Sequence, residues 1–467
     1  MSDRHAAQRE NPFLTAPVGR LFLANALPMT LVLSMGGVLN VVDGIFVGRF
    51  IGPEALAAVS LAFPAAMLLS ALAALVGGGM SSLMARHLGA GDRAAAGGVF
   101  AGAHGLALAM AAGLFGAWQI FGQAIVSRMA AGQADIAAMA GTYLSILLLG
   151  APAQLLLGVQ ADALRSEGRA GVIAGLSVLV NLVNIGANWL GIVVLGLGVA
   201  GSALGTIAAQ VLGLALLICV RARDGARDRA LLPLPVPPTR RWLDGWAAIT
   251  RLGLPLCLGL LGIAVAAGVV MLSLRLHAGP DYDALVSAYG IATRLLGLAF
   301  LPQMAIALAV QSITGNNAGA RRQDRARAAL RLAMTTAFVW CLAVSLTGSG
   351  AGHALGGWFT DDPVVAGNVA RILRPMTALY AASGPILVLA LHFQALGRPD
   401  LTALLTLAKP WLLTPTLVLA LPAVLGLQGL WLAFPIGDAI LLALSLPFAR
   451  AALRGPEGRA SVMGGPA

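Results

Sequence analysis

Twelve apolar stretches of about 20 residues or more recur along the chain, the length an α-helix needs to cross roughly 30 Å of hydrocarbon. They fall near residues 21 to 46, 55 to 85, 95 to 122, 136 to 161, 171 to 195, 199 to 220, 248 to 275, 284 to 314, 327 to 350, 364 to 392, 401 to 425 and 428 to 449. Inside a bilayer each backbone N–H and C=O must find its partner within the segment, so such stretches fold as helices and open sheets are excluded. Composition agrees: 58% of the residues are hydrophobic and 10% charged, against about 25% charged in ordinary soluble domains. The expected fold class is an all-α polytopic membrane protein of twelve transmembrane helices, with the lipid bilayer as its solvent.

Charge sets the orientation. With an even helix count, the two termini and alternate loops share one side, and that set carries 24 of the 30 Lys and Arg residues, Arg398 and Lys409 counted together in one of its loops. Cytoplasmic loops are enriched in this way, so both termini are expected in the cytoplasm of a bacterial inner membrane. The same asymmetry accounts for the formal charge of +11 without a nucleic-acid partner. Residues 1 to 20 include Asp3, Arg4, His5, Arg9, Glu10, Pro12 and Pro17, a pattern unlike a cleavable signal peptide. Cys219, Cys257 and Cys341 lie in apolar segments without paired spacing, so they are expected as small core residues, with no metal site and no cofactor.

Residues 222 to 246 form the one long polar interruption, with Pro233, Pro235, Pro237 and Pro238, and are expected to link an N-terminal lobe (1–221, helices 1–6) to a C-terminal lobe (247–467, helices 7–12). Across this linker the halves match at an offset of 227 to 230: Leu27-Pro28 with Leu254-Pro255, Glu54-Ala55-Leu56 with Asp283-Ala284-Leu285, Gly89-Ala90 with Gly319-Ala320, and Arg165 with Gln394. Six helices per half makes the halves parallel repeats about a pseudo-two-fold axis along the membrane normal.

Polar side chains inside spans are costly and mark candidate sites. Asp43 lies near the outer end of helix 1. Asn181, Asn184 and Asn188 fall at i, i+3 and i+7 of helix 5, on one face. Thr206 is about 10 Å down helix 6, and Tyr143 on helix 4 reaches a similar depth. Asn40 and Asn181 are candidates for an extension of the same cluster. A carboxylate there is disfavoured by desolvation and favoured by donors, and the balance leaves it able to exchange a proton. The alternative is a set of hydrogen bonds that merely ties helices 1, 4, 5 and 6 together, each worth near 0.6 kcal/mol. In the second half Asn184 and Asn188 map to Leu413 and Leu417, and Asp43 to Val270 or Met271, so that repeat is expected to have lost its polar site. Pro28 removes a backbone hydrogen bond and is a candidate hinge. Asp438, on helix 12, is a further candidate with helix glue as its alternative. Arg294, inside helix 8, reads first as a snorkelling cation.

The run LPMTLVLSMGGVLNVVDGIFVGRFIGPEALAAV, the loops ARHLGAGDRAA and TGNNAGARRQDRARA, the segments YLSILLLGAP, LRSEGR and FQALGRP, and NLVNIGANWLGIVVLGLGVAGSALGT together resemble the multidrug and toxic compound extrusion family, nearest its prokaryotic DNA-damage-inducible branch. The resemblance implies a two-lobed antiporter that exports small, mostly cationic or amphipathic compounds against protons or sodium. It matches Asp43, Tyr143, Asn184 and Thr206 to that branch's ion-binding residues and Asp438 to a polar position on helix 12. Asn188 departs from it, because the branch has an aspartate there. With Asp43 as the sole acid a hard-cation site is weakened, so proton coupling is expected ahead of sodium at the Asp43 cluster. Small-molecule substrates, a monomeric state and no enzymatic activity complete the expectation. The alternatives are sodium coupling and a lipid-linked sugar flippase, the latter needing cationic residues that these spans hold sparsely.

Overall fold

The computed structural model describes residues 11–226, 232 and 240–454. Among them every regular element is a helix. Ten helices are long and apolar enough to cross a membrane, and two bent pairs bring the number to twelve. In chain order we label them α1 (Val18–Phe50), α2 (Phe63–Gly89), α3 (Arg93–Met129), α4 (Ala134–Leu149 with Ala151–Ser166), α5 (Ala170–Val194) and α6 (Gly198–Ala226). The second half runs α7 (Trp246–His277), α8 (Tyr282–Gly319), α9 (Gln323–Gly350), α10 (Pro363–Thr377 with Tyr380–Ala395), α11 (Pro399–Leu425) and α12 (Leu427–Arg454).

Local chemistry explains the breaks. Residues 55 to 61, expected at the start of the second span, belong instead to a separate short helix, Pro53–Leu61, and α2 starts afresh at Phe63-Pro64, where a proline ring suits a first turn. Asp92 caps α3 by accepting from the Ala95 amide at 2.9 Å, and Asp362 caps α10 through Val364 at 2.8 Å. The α4 pair bends by 44° at Gly150-Ala151-Pro152, and the α10 pair by 49° just after Pro375, each where proline removes a ladder hydrogen bond. Two spans widen into π turns, α5 over Leu190–Val194 and α11 over Ala408–Leu413.

The chain packs as two compact units. One holds Leu27–Cys257 and the short helix Pro12–Thr15; the other holds Ala16–Ala26 and the chain from Leu258 onward. Much of the expected linker, 227–231 and 233–239, lies outside the described residues. The start of α7 belongs to the first unit because glycines let backbones touch: a Cβ on Gly253 would stand 1.9 Å from the Leu75 carbonyl oxygen, and one on Gly79 2.0 Å from that of Ile249. Within each unit the same partners pack, α2 with α3 and α4 in one, α8 with α9 and α10 in the other, and the closing pairs α5–α6 and α11–α12. Large apolar side chains such as Ile120 and Val424 stay exposed, the surface a helix offers to lipid.

Three residues sit elsewhere than the sequence suggested. Cys219 is exposed, while Cys257 and Cys341 are buried. Arg221, expected in a cytoplasmic loop, lies within α6 and is 1% exposed. It donates to Glu167 at 2.7 Å, to Gln160 at 3.0 Å and to the Leu232 carbonyl at 3.2 Å, and Gln160 reaches His104 at 2.9 Å. A charge this deep is kept by a close counter-charge, here Glu167, and by the Phe100 ring, whose centroid lies 4.7 Å from the guanidinium carbon. Lys409, counted with a cytoplasmic loop, stands ten residues into α11, about 15 Å along the helix.

Candidate functional site

Four of the expected polar residues meet in the first unit. The Asn188 amide nitrogen on α5 donates to Asp43 Oδ1 on α1 at 2.7 Å and to Asn184 Oδ1 at 3.1 Å. Asn184 donates onward to Thr206 Oγ1 on α6 at 3.3 Å, and Thr206 donates to the Ser202 carbonyl at 3.2 Å. Both ends of this chain are acceptors, the Ser202 carbonyl and the Asp43 carboxylate. An ionised carboxylate, which only accepts, completes it.

Spacing along α5 makes the chain possible. Asn184 and Asn188 are one turn apart on the same face, and they are 2% and 1% exposed. What lets α6 come close enough is a pair of glycines four residues apart, Gly201 and Gly205, a small-residue stripe of the kind that brings membrane helices together. A Cβ on Gly201 would meet the Gly191 backbone at 2.6 Å, and one on Gly205 would lie 2.1 Å from Asn188 Oδ1. Neither glycine was singled out from the sequence, although the spacing Gly201-Ser-Ala-Leu-Gly205 carries the signal. The π turn of α5 begins two residues after Asn188, and single π turns in α-helices gather at functional sites.

The other candidates are placed differently. The Tyr143 ring packs on Val47, Ala55 and Val199, and Val47 is one turn beyond Asp43, so packing brings Tyr143 beside the cluster. Asn40 is exposed and donates back to the Gly36 carbonyl at 2.9 Å, within its own helix. Asn181 leaves its amide nitrogen buried without a partner. Pro28 stands inside α1, next to the point at which that helix passes from one packing unit to the other. Arg294 is exposed on α8.

Asn188 Oδ1 is buried and has no hydrogen-bond partner. One carboxylate, two amide oxygens and a hydroxyl offer a site for a proton or a monovalent cation, and too little charge for a divalent one. Among the described residues no group of three His, Cys, Asp or Glu side chains converges.

In the second unit, Val270, Met271 and Leu417 do belong to or pack against its apolar core, as the repeat offset required. A polar pair nonetheless stands elsewhere in this half. Lys409 on α11 forms an ion pair with Asp438 on α12. The pair lies one turn before Leu413, beside Gly437, where an added Cβ would meet Leu413 at 3.8 Å and Leu417 at 3.7 Å. Lys409 was counted with a cytoplasmic loop for its charge, although it falls inside the expected span 401 to 425.

Comparisons with known proteins follow this geometry. The profile of the MatE family matches residues 28–190 and 260–415. An FAD transporter of Shewanella oneidensis is 27% identical over 449 residues, covering 94% of this chain and 95% of that one. The multidrug export protein MepA of Staphylococcus aureus is 25% identical over 440 residues, with 92% of both chains covered. Among solved structures, the outward-facing conformation of a multidrug resistance MATE family transporter of the MOP superfamily superposes with a TM-score of 0.84 at 26% identity, over 95% of this chain and 97% of that one.

Proposed function

The chain belongs to the MatE family of multi-pass membrane transporters, and on that premise we propose that it exports small cationic or amphipathic molecules in exchange for protons taken up at Asp43. The supporting observation is the donor chain itself. Asp43 is the only acid in it, and Asn188 meets it with an amide donor at 2.7 Å. Protonation of Asp43 at Oδ2 leaves Oδ1 a neutral carbonyl that still accepts from the Asn188 amide, but the bond loses its charge assistance. The bond is then weakened, which couples proton occupancy to the contact between α1 and α5.

Orientation follows from charge: the basic loops face the cytoplasm, and the protein works as a monomer in the bacterial inner membrane. A cysteine placed at Asp361 is then labelled by an impermeant reagent from outside; labelling from inside alone would reverse the topology.

The test of coupling is substrate efflux from proteoliposomes with a pH gradient or a sodium gradient imposed separately. Export follows the pH gradient and ignores sodium, and Asp43→Asn abolishes it while the protein stays inserted and folded. Sodium-dependent export at fixed pH would replace the proton by sodium, with the unpaired Asn188 Oδ1 as the neutral oxygen that favours that reading.

A further inference from the structure

Lys409 is the sole lysine of a chain whose other 29 basic residues are all arginine. It is placed where a basic residue costs most. Ten residues separate it from Pro399 at one end of α11, and eleven separate Asp438 from Leu427 at the opposite end of the antiparallel neighbour α12. Both therefore lie about 15 Å deep, near the middle of a 30 Å hydrocarbon layer. The two partners are buried unequally. Asp438 has a side chain 5% exposed, whereas that of Lys409 is 29% exposed. The approachable end of the pair is the cation.

From this geometry we propose that Lys409 is a recognition site for an acidic group, a phosphate or carboxylate, on the exported compound; the proposal rests on the export reading above. An ammonium open to hydrocarbon at mid-depth is strongly disfavoured, so the open side of Lys409 is one that water or a polar ligand reaches. Lysine carries three donors. One is held by Asp438, which neutralises the charge while the site is empty. The remaining donors are free to meet an anion as charge-assisted hydrogen bonds. The π turn Ala408–Leu413 sets Lys409 off the regular face of α11, another instance of this rare turn at a polar position. Asp438 thus acts as a positioning residue and internal competitor, and Lys409 as the contact to substrate.

The test compares ligands that differ only in the acidic group. Purified protein in nanodiscs of neutral phosphatidylcholine is titrated with flavin mononucleotide, with riboflavin, which lacks the phosphate, and with ethidium, a cation. Flavin mononucleotide binds the wild type, and Lys409→Gln weakens it about tenfold or more, while Lys409→Arg keeps it within a few-fold. Asp438→Asn, which removes the competing carboxylate, tightens it, an effect that a purely structural ion pair would not produce. Riboflavin and ethidium affinities stay level in all three variants. Equal binding of riboflavin and flavin mononucleotide, or an unchanged flavin mononucleotide affinity in Lys409→Gln, overturns the proposal. Complete displacement of flavin mononucleotide by added phosphatidylglycerol would assign the site to a lipid headgroup and overturn it equally. A second measurement needs no variant. With one lysine in the chain, amine acylation mapped by mass spectrometry reports Lys409 directly, and flavin mononucleotide should slow it; absence of protection counts against the site. Binding requires no ion gradient, so loss of gradient-driven export would sink the transport reading and leave this result standing, and the converse also holds.

Discussion

Replacing Gly205 by alanine adds one methyl group and removes no polar atom of the site, yet it should disable the Asp43 cluster. The new Cβ would sit 2.1 Å from Asn188 Oδ1 and 2.9 Å from the Asn188 backbone nitrogen. Real Cβ contacts do not fall below 3.0 Å, so Asn188 or α6 must move by at least 0.9 Å. Where Asn188 yields directly away from Asp43, their 2.7 Å bond stretches to about 3.6 Å, beyond hydrogen-bonding range. A bond to a charged group contributes about 1.5–3 kcal/mol, and overpacking costs about 1–3 kcal/mol. At about 1.4 kcal/mol per factor of ten, loss of the bond alone lowers the population of the assembled cluster by roughly one to two orders of magnitude. The assay is efflux driven by a pH gradient in proteoliposomes, beside the thermal unfolding of the same preparation. Gly186→Ala on α5, whose Cβ would meet nothing within 4 Å, is the control. Wild-type efflux from Gly205→Ala at matched insertion would refute the argument, since the cluster would then be dispensable or the helices free to part at no cost.

Two further outcomes follow from the same contacts. Asn188→Asp places a second carboxyl beside Asp43, and like charges in a dry site cannot both ionise unless a cation enters between them; sodium should bind the variant more tightly than the parent, and equal sodium affinity by calorimetry would contradict this. Arg221→Met strands Glu167, 1% exposed, without its guanidinium, and breaking a buried pair on one side costs about 3–5 kcal/mol; unfolding should come at clearly lower temperature, whereas the double change Arg221→Met with Glu167→Gln recovers much of the loss.

The spans themselves were legible because a helix in lipid is dictated locally: each backbone group bonds within its own segment, so apolar length alone located all twelve. The offset of 227 to 230 likewise announced two halves built on one plan, and periodicity put Asn184 and Asn188 on one face of α5. Depth counted in helical rise was enough to bring Asp43 and Thr206 to the same level. Other features depended on where helices touch. That Asn188 reaches Asp43 while Asn40 turns back on its own helix is decided by side-chain direction across an interface. The approach of α6 at Gly205 belongs to a contact between two helices, as does the attachment of the first turns of α7 to Leu75 through Gly253. Lys409 shows the limit most plainly. In sequence it stands between short apolar runs near an Arg-Pro-Asp loop, and its charge assigned it to the cytoplasm; only the packing of α11 against α12 sets it beside Asp438. A span's existence depends on its own residues, but a charge can stay within a span only when another helix supplies its partner, and that partner is 29 residues away.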